Sequence, residues 1–383
     1  MASTSTYKSN SNIGPATLLD KLQCVALLPF FPVAAFQVLI RRMSRPTNLS
    51  LKADFIRTFI RMFPYLPVSI LRDTTKSPDA KFAVAKRFPN KSGLYEPVSG
   101  EGFSGRWIRK GCPGKLTAVT DVDLVIYYLH GGAYRFGHPA SGIAPFLRIA
   151  ELADKKGISI AVFALDYSFA PEAKYPTQLN EAKAAYRYLL KDQNIDPAKL
   201  AIFGDSAGGH LLLNLLCALA DEKSLPKPSA GAFLISPWLD LRCSNDGSFI
   251  RNQHLDWLVY SELKQAGEQV MPRKLDKTVP HIVSFVLPRL DKQSWADILP
   301  SKVFVAMGGN EMLLDDAVAW VDQIKAEGID VQLEIDEGRG HIWHMMDDIF
   351  DTDPYFAATG EVPVGLMTGA AAMAEAIIST VSR

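Results

Sequence analysis

Lys199-Leu200-Ala201-Ile202-Phe203-Gly204-Asp205-Ser206-Ala207-Gly208-Gly209-His210 is the stretch on which the fold turns. A short apolar run of strand length stops at Gly204, and a strongly apolar run with helical spacing, 210–220, takes over. Between them stands Gly204-Asp205-Ser206-Ala207-Gly208, a match to Gly-x-Ser-x-Gly. Two glycines around a serine recur by chance. A strand entering and a helix leaving give the pattern its meaning, because the serine then occupies a sharp turn that needs small neighbours. Such a turn lifts the hydroxyl above the carboxyl edge of a sheet, where the dipole and free N–H groups of the next helix favour a developing anion. A plain tight turn or a phosphate-cradling loop is the competing reading. The flanking elements favour Ser206 as a nucleophile.

Outward from this point the same grammar repeats. Leu124–Leu129 is an apolar strand ending at His130-Gly131-Gly132, and helical spacing follows over 144–155. The next strand is 158–165, a helix fits 178–191, and 230–235 reads as a strand ending at Ser236-Pro237-Trp238. The pattern resumes with a strand over 303–307, a helix over 313–327 and a strand over 331–335. Strand–helix alternation at this rhythm predicts right-handed crossovers, hence an α/β fold with a mostly parallel central sheet covered by helices on both faces. Residues 240–297 lose the alternation, carry Trp257 and Trp295 and show a helical patch over 255–268, as an insertion would. The expected organisation is an N-terminal cap or membrane-associated segment (1–75), a first core part (76–239), a cap insertion (240–297) and a second core part (298–383). Residues 13–115 are mixed, with helical periodicity over 51–65 and no chemical motif.

Composition narrows the function. Of 383 residues, 48% are hydrophobic and 21% charged, which excludes wholesale disorder. Forty-one basic residues balance forty-one acidic ones, so no basic excess speaks for a nucleic-acid partner. Cys24, Cys112, Cys217 and Cys243 are scattered and form no Cys-x-x-Cys pair, which excludes a disulfide framework, argues against structural zinc and points to a reducing, cytoplasmic setting. Residues 22–40 form an uncharged run between Lys21 and Arg41-Arg42, long enough to cross a hydrocarbon core as a helix. Gln23, Gln37, Pro29 and Pro32 interrupt it, so it reads first as an apolar cap or interfacial segment, next as a membrane anchor, and last as a signal peptide. The first ten residues are Ser-, Thr- and Asn-rich and read as loose, and Asn48-Leu49-Ser50 and Asn90-Lys91-Ser92 fit a glycosylation sequon.

A serine hydroxyl needs a base to take its proton, and the base needs a buried carboxylate to orient it. Glu311 follows the strand 303–307, and His341 follows the strand 331–335, both where the order serine, acid, histidine demands them. Of seven histidines only His341 and His344 come after that last strand. His341 sits in the flexible Gly338-Arg339-Gly340-His341 loop, whereas His344 lies among bulky Trp343, Met345 and Met346. Asp315 and Asp316 compete with Glu311 but fall further into the helix pattern. Two successive glycines in His130-Gly131-Gly132-Ala133 allow amides to converge, so Gly131, Gly132 and the amide of Ala207 are the expected oxyanion donors. Ala133, Tyr134, Asp205, Trp238 and Trp343 are expected to line the substrate pocket.

The pairing of His130-Gly131-Gly132-Ala133 with Gly204-Asp205-Ser206-Ala207-Gly208-Gly209 resembles the hormone-sensitive-lipase family of α/β-hydrolases. So do Asp166-Tyr167-Ser168-Phe169-Ala170-Pro171-Glu172, Ser236-Pro237-Trp238-Leu239-Asp240 and Gly340-His341-Ile342-Trp343-His344, and together these blocks span about residues 123–345. The resemblance implies a serine carboxylesterase with an acyl-enzyme intermediate, a cap built partly from the N-terminus, and no metal or organic cofactor. In it Ser206 matches the nucleophile, His341 the base, and Gly131, Gly132 and Ala207 the oxyanion donors. Two departures stand out. Ala133 replaces a common third glycine, and Glu311-Met312-Leu313 replaces the usual Asp-Pro-Leu. The expected reaction is hydrolysis of a short-acyl ester, for example an acetyl ester, of a bulky apolar alcohol. Ala133 would narrow the acyl side, and the apolar N-terminal run and Trp-bearing insertion would line a large dry site. Transfer of the acyl group to an alcohol by the same triad is the alternative, and a catalytically silent ligand receptor is disfavoured because all three triad groups are present.

Overall fold

The computed structural model describes residues 15–44, 51–111, 118–271, 283–287 and 294–381. The first ten residues, Asn48 with its sequon, Cys112 and part of the 240–297 insertion lie outside that range. Among the described residues eight strands make one sheet: β1 (Leu94–Gly100), β2 (Phe103–Arg109), β3 (Leu124–Leu129), β4 (Ile160–Leu165), β5 (Leu200–Asp205), β6 (Gly231–Ile235), β7 (Lys302–Gly308) and β8 (Asp330–Asp336). Their order is β1-β2-β4-β3-β5-β6-β7-β8. β1 and β2 join antiparallel, and every pair from β4 to β8 is parallel.

The continuous apolar runs are explained by burial on both faces. Along β3, Val125, Tyr127 and Leu129 enter one core while Leu124, Ile126 and Tyr128 enter the other, as the two-residue side-chain period dictates. Helices Thr177–Lys191, Ala207–Glu222 and Leu314–Ala326 cover the first face. Helices Ile143–Asp154 and Thr368–Val381 cover the second. Truncating any one fully buried leucine here, such as Leu212, would cost about 2–5 kcal/mol.

The core elements from β3 onward fall within a few residues of their sequence-based limits. β1 and β2 do not carry the expected signal: β1 is an edge strand whose Glu96, Pro97 and Ser99 interrupt any apolar run, and β2 contains Ser104, Gly105 and Arg106. The patch over 255–268 becomes a helix only at Tyr260–Val270, because Asn252–Leu258 is a tight irregular turn.

The N-terminal region is helical: Leu18–Leu27, Phe30–Ser44, Leu51–Ile60 and Val68–Ala83. The run 22–40 is therefore two helices that break at Leu28-Pro29, where proline supplies no N–H. Among the described side chains of its second helix only Ala34 and Val38 are buried, and Phe31 stacks on Phe59 at 5.1 Å. Asp54, fully buried, pairs with Arg41, Arg42 and Arg57 and pins this helix to the next. The boundary expected after residue 75 falls inside helix Val68–Ala83, which continues unbroken through it. From that helix buried Arg72 reaches into the core: Nη1 donates to Glu172 at 2.6 Å and Nε to the Arg135 carbonyl at 2.8 Å.

Candidate active site

Ser206 sits between β5 and helix Ala207–Glu222 with φ 52° and ψ −120°, a conformation few L-residues adopt. The turn closes only because Gly204 and Gly208, two residues to either side, lack side chains: a Cβ on Gly208 would lie 1.9 Å from the Leu129 carbonyl oxygen. The sharp turn aims Oγ away from the sheet, and His341 Nε2 lies 2.9 Å from it. On the far side of the ring, His341 Nδ1 meets Glu311 Oε2 at 3.0 Å. Glu311 Oε1 is itself held by the Ser236 hydroxyl at 2.6 Å and by the Gly308 amide. All three side chains come from loops at the carboxyl ends of β5, β7 and β8, and all are buried. Burial pulls the imidazole pKa down, but the hydrogen bond and charge of Glu311, with Asp256 and Asp205 nearby, outweigh it and raise the pKa of His341 above its ordinary value.

The competing carboxylates and histidine are placed elsewhere. Asp315 accepts from the Ser248 amide at 2.8 Å and pairs with Arg251 at 2.6 Å. Asp316 is pushed up to about 7 by burial and by Asp240. His344 stacks on Trp343 at 3.9 Å and is pulled down to about 4 by burial.

The oxyanion loop requires a correction. The amide of Gly131 is spent on Asp205 Oδ2 at 3.0 Å, so it has no proton left for a substrate oxygen. The amides of Gly132 and Ala133 have no backbone partner among the described residues, and both residues are half-buried beside the elbow. Positive φ at Gly132 (111°), Ala133 (51°) and Tyr134 (58°) curls the loop toward Ser206. Asp205 fastens the two loops together: its other oxygen accepts from Tyr128 Oη at 2.8 Å, and burial pushes its pKa up to about 6.

The expected pocket residues divide. Ala133 lies beside the elbow. Asp205 is a buried tie rather than a lining group. Tyr134 is buried with its hydroxyl 2.9 Å from His210 Nδ1. Trp238 is wholly buried in the core, its amide donating to the Ser206 carbonyl at 3.0 Å. Trp343 lies under Arg339 and borders a cavity of about 330 Å³ with Ala306, Glu334 and His344, a space that neither Ser206 nor His341 lines. Sequence reading named Trp257 only as part of the insertion and missed Asp256; both contact the histidine loop. Their only signal was position in the insertion.

A family model described as alpha/beta hydrolase fold matches residues 126–345, which is more than half the chain. The chain belongs to the α/β-hydrolase family. An acetyl-hydrolase of Streptomyces hygroscopicus is 32% identical over 223 residues, 57% of this chain and 68% of the relative. An esterase of Acinetobacter venetianus is 30% identical over 237 residues, 62% of this chain and 73% of that one. A putative steryl acetyl hydrolase of Schizosaccharomyces pombe is 28% identical over 245 residues, and the match spans 60% of this chain and 62% of that relative's length. Among solved structures, an esterase from the bacterial hormone-sensitive lipase family superposes with a TM-score of 0.60 at 25% identity, covering 92% of this chain and 98% of that one. An esterase/lipase from an uncultured bacterium does so with 0.62 at 27%, covering 86% and 99%. The α/β-hydrolase is thus a carboxylic ester hydrolase of the hormone-sensitive-lipase-like branch.

Proposed function

We propose that this α/β-hydrolase is a serine carboxylesterase that cleaves short-acyl esters of a bulky apolar alcohol. One observation carries the reading: the unbroken hydrogen-bonded chain Ser206–His341–Glu311, at 2.9 and 3.0 Å. His341 Nε2 takes the Oγ proton as Ser206 attacks the ester carbonyl, while Glu311 holds Nδ1–H and stabilises the imidazolium that forms. The amides of Gly132, Ala133 and Ala207 receive the oxyanion. The C–O bond to the alcohol then breaks, His341 returns the proton to the leaving oxygen, and acyl-Ser206 remains. A water deprotonated by the same imidazole attacks the acyl carbon and releases the carboxylic acid, restoring Ser206.

Ala133 in place of a third glycine narrows the acyl side, and the relatives named acetyl hydrolases support a small acyl group. The putative steryl acetyl hydrolase supports a large apolar alcohol. Twelve large apolar side chains between Leu18 and Met43 are exposed, on a stretch long and apolar enough to cross a membrane. Exposed apolar side chains along this whole stretch fit lipid better than a single protein groove, which supports a chain that works against a membrane surface from which such esters are drawn. Purified protein should hydrolyse p-nitrophenyl acetate, and Ser206→Ala should abolish it. No turnover of any acyl ester ends the reading.

A further inference from the structure

The reaction steps above leave unused a segment of the insertion that touches both loops of the triad. Asp256, fully buried, presents its carboxylate to backbone amides from three places. Oδ2 accepts from Met312 N at 2.8 Å, and Oδ1 accepts from Trp257 N at 2.7 Å and from His341 N at 3.3 Å. Met312 is the residue after the acid and His341 is the base, so one carboxylate grips both. Its neighbours repeat the grip. Trp257 Nε1 donates to the His341 carbonyl at 2.7 Å, and Asn252 Nδ2 donates to the Glu311 carbonyl at 2.8 Å. Burying a carboxylate costs several kcal/mol unless its hydrogen bonds are good, and charge-assisted bonds to amides are both strong and directional.

The outer side of this segment is held from the N-terminus. Arg61 Nη1 donates to the carbonyls of Gln253 at 2.8 Å, Asp256 at 2.7 Å and Leu258 at 2.9 Å, and Arg57 Nη1 donates to the His254 carbonyl.

We infer that Asp256 is a positioning residue that fixes the spacing of the Glu311 and His341 loops, and that Arg61 fastens this brace to the N-terminal helices. The inference rests on the Ser206–His341–Glu311 reading. Misplacing a reacting group by about 1 Å can cost on the order of 10²-fold in rate. Three carboxylates raise the proton affinity of the imidazole: Glu311, Asp256 and Asp205. Asn at position 256 removes one of those charges, and its NH2 group would have to face an amide N–H.

The test uses the full chain, with hydrolysis of p-nitrophenyl acetate and the rate of Ser206 phosphonylation by a fluorophosphonate, each followed against pH. Asp256→Asn should lower kcat and the labelling rate by about 10²-fold, leave KM little changed, and move the ascending limb of the pH profile to lower pH. Trp257→Phe keeps an aromatic ring but loses the indole N–H bond to the His341 carbonyl, and should lower both rates by up to about tenfold with the limb unmoved. If Asp256→Asn melts below the assay temperature, Trp257→Phe decides. Arg61→Met should slow the enzyme in the same direction, and its combined loss with Asp256→Asn should be smaller than the product of the two. Unchanged rates in both loop variants, or a lowered rate with an unmoved limb in Asp256→Asn, would overturn the positioning role. Independent losses would overturn the tie to Arg61. Wild-type protein that neither hydrolyses the ester nor takes the label would instead overturn the triad on which the inference stands.

Discussion

Replacing Glu311 by Gln keeps the length and shape of the acid but changes what it offers to the imidazole. Oε1 of Glu311 accepts from Ser236 and from the Gly308 amide, and Oε2 accepts from His341 at 3.0 Å. A glutamine cannot serve both sides. If its NH2 faced the Gly308 amide, two buried donors would collide, at about 1–3 kcal/mol. The oxygen therefore stays toward Gly308, and the NH2 group faces Nδ1. That orientation forces the ring proton onto Nε2, where it points at Ser206 and cannot accept the hydroxyl proton. In serine proteases the equivalent amide costs on the order of 10⁴ in kcat, or about 5 kcal/mol of transition-state stabilisation. Asp315→Asn loses an exposed pair with Arg251, worth at most about 1 kcal/mol, and should cost less than about tenfold. The assay is kcat for both purified variants on a soluble acetyl ester, with folding checked by thermal melt. A crippled Asp315→Asn beside an active Glu311→Gln would refute the assignment of the acid.

The rate should rise with pH along a single limb set by His341, since only the neutral imidazole accepts the Ser206 proton. Because the pKa is raised, activity is lost as pH falls through a midpoint at or above the ordinary imidazole value of about 6.5. A flat profile from about pH 5 to 8, the window in which imidazoles titrate, would show that another group is the base. Deleting residues 1–45 should weaken turnover of bulky apolar esters more than that of p-nitrophenyl acetate and abolish cosedimentation with phospholipid vesicles. Equal effects on both esters, with the full-length protein staying wholly in the supernatant, would leave the segment a merely structural role.

Much of the site could be read from the sequence because its parts lie where strands end. A buried parallel strand leaves an apolar run, the elbow leaves two glycines, and the three loops follow in chain order, so Ser206, Glu311 and His341 were each marked by a local signal. What stayed hidden depends on distant partners. Nothing near Gly131 shows that the carboxylate at the end of β5 will claim its amide, although Asp205 stands beside the nucleophile. Asp256 is one acid in an irregular turn, and its role exists only once the loops of β7 and β8 are brought against it. β1 and β2 escaped for another reason. An edge pair wet on one face needs no apolar run, and Pro97 is tolerated there.

Where Arg61 and Arg72 of the N-terminal region reach has a practical side. Arg72 holds the carbonyl of Arg135 just past the oxyanion loop, and Arg61 holds the turn that carries Asp256. The greasy helices and the anchoring helices are thus separable parts of one region. A water-soluble version for crystallisation should be trimmed no further than Leu51, which discards the lipophilic stretch and keeps Asp54 with Arg57 as its remaining partner. Trimming at residue 75, where the sequence alone would place a boundary, would remove both arginines and take from half-buried Glu172 the guanidinium of Arg72.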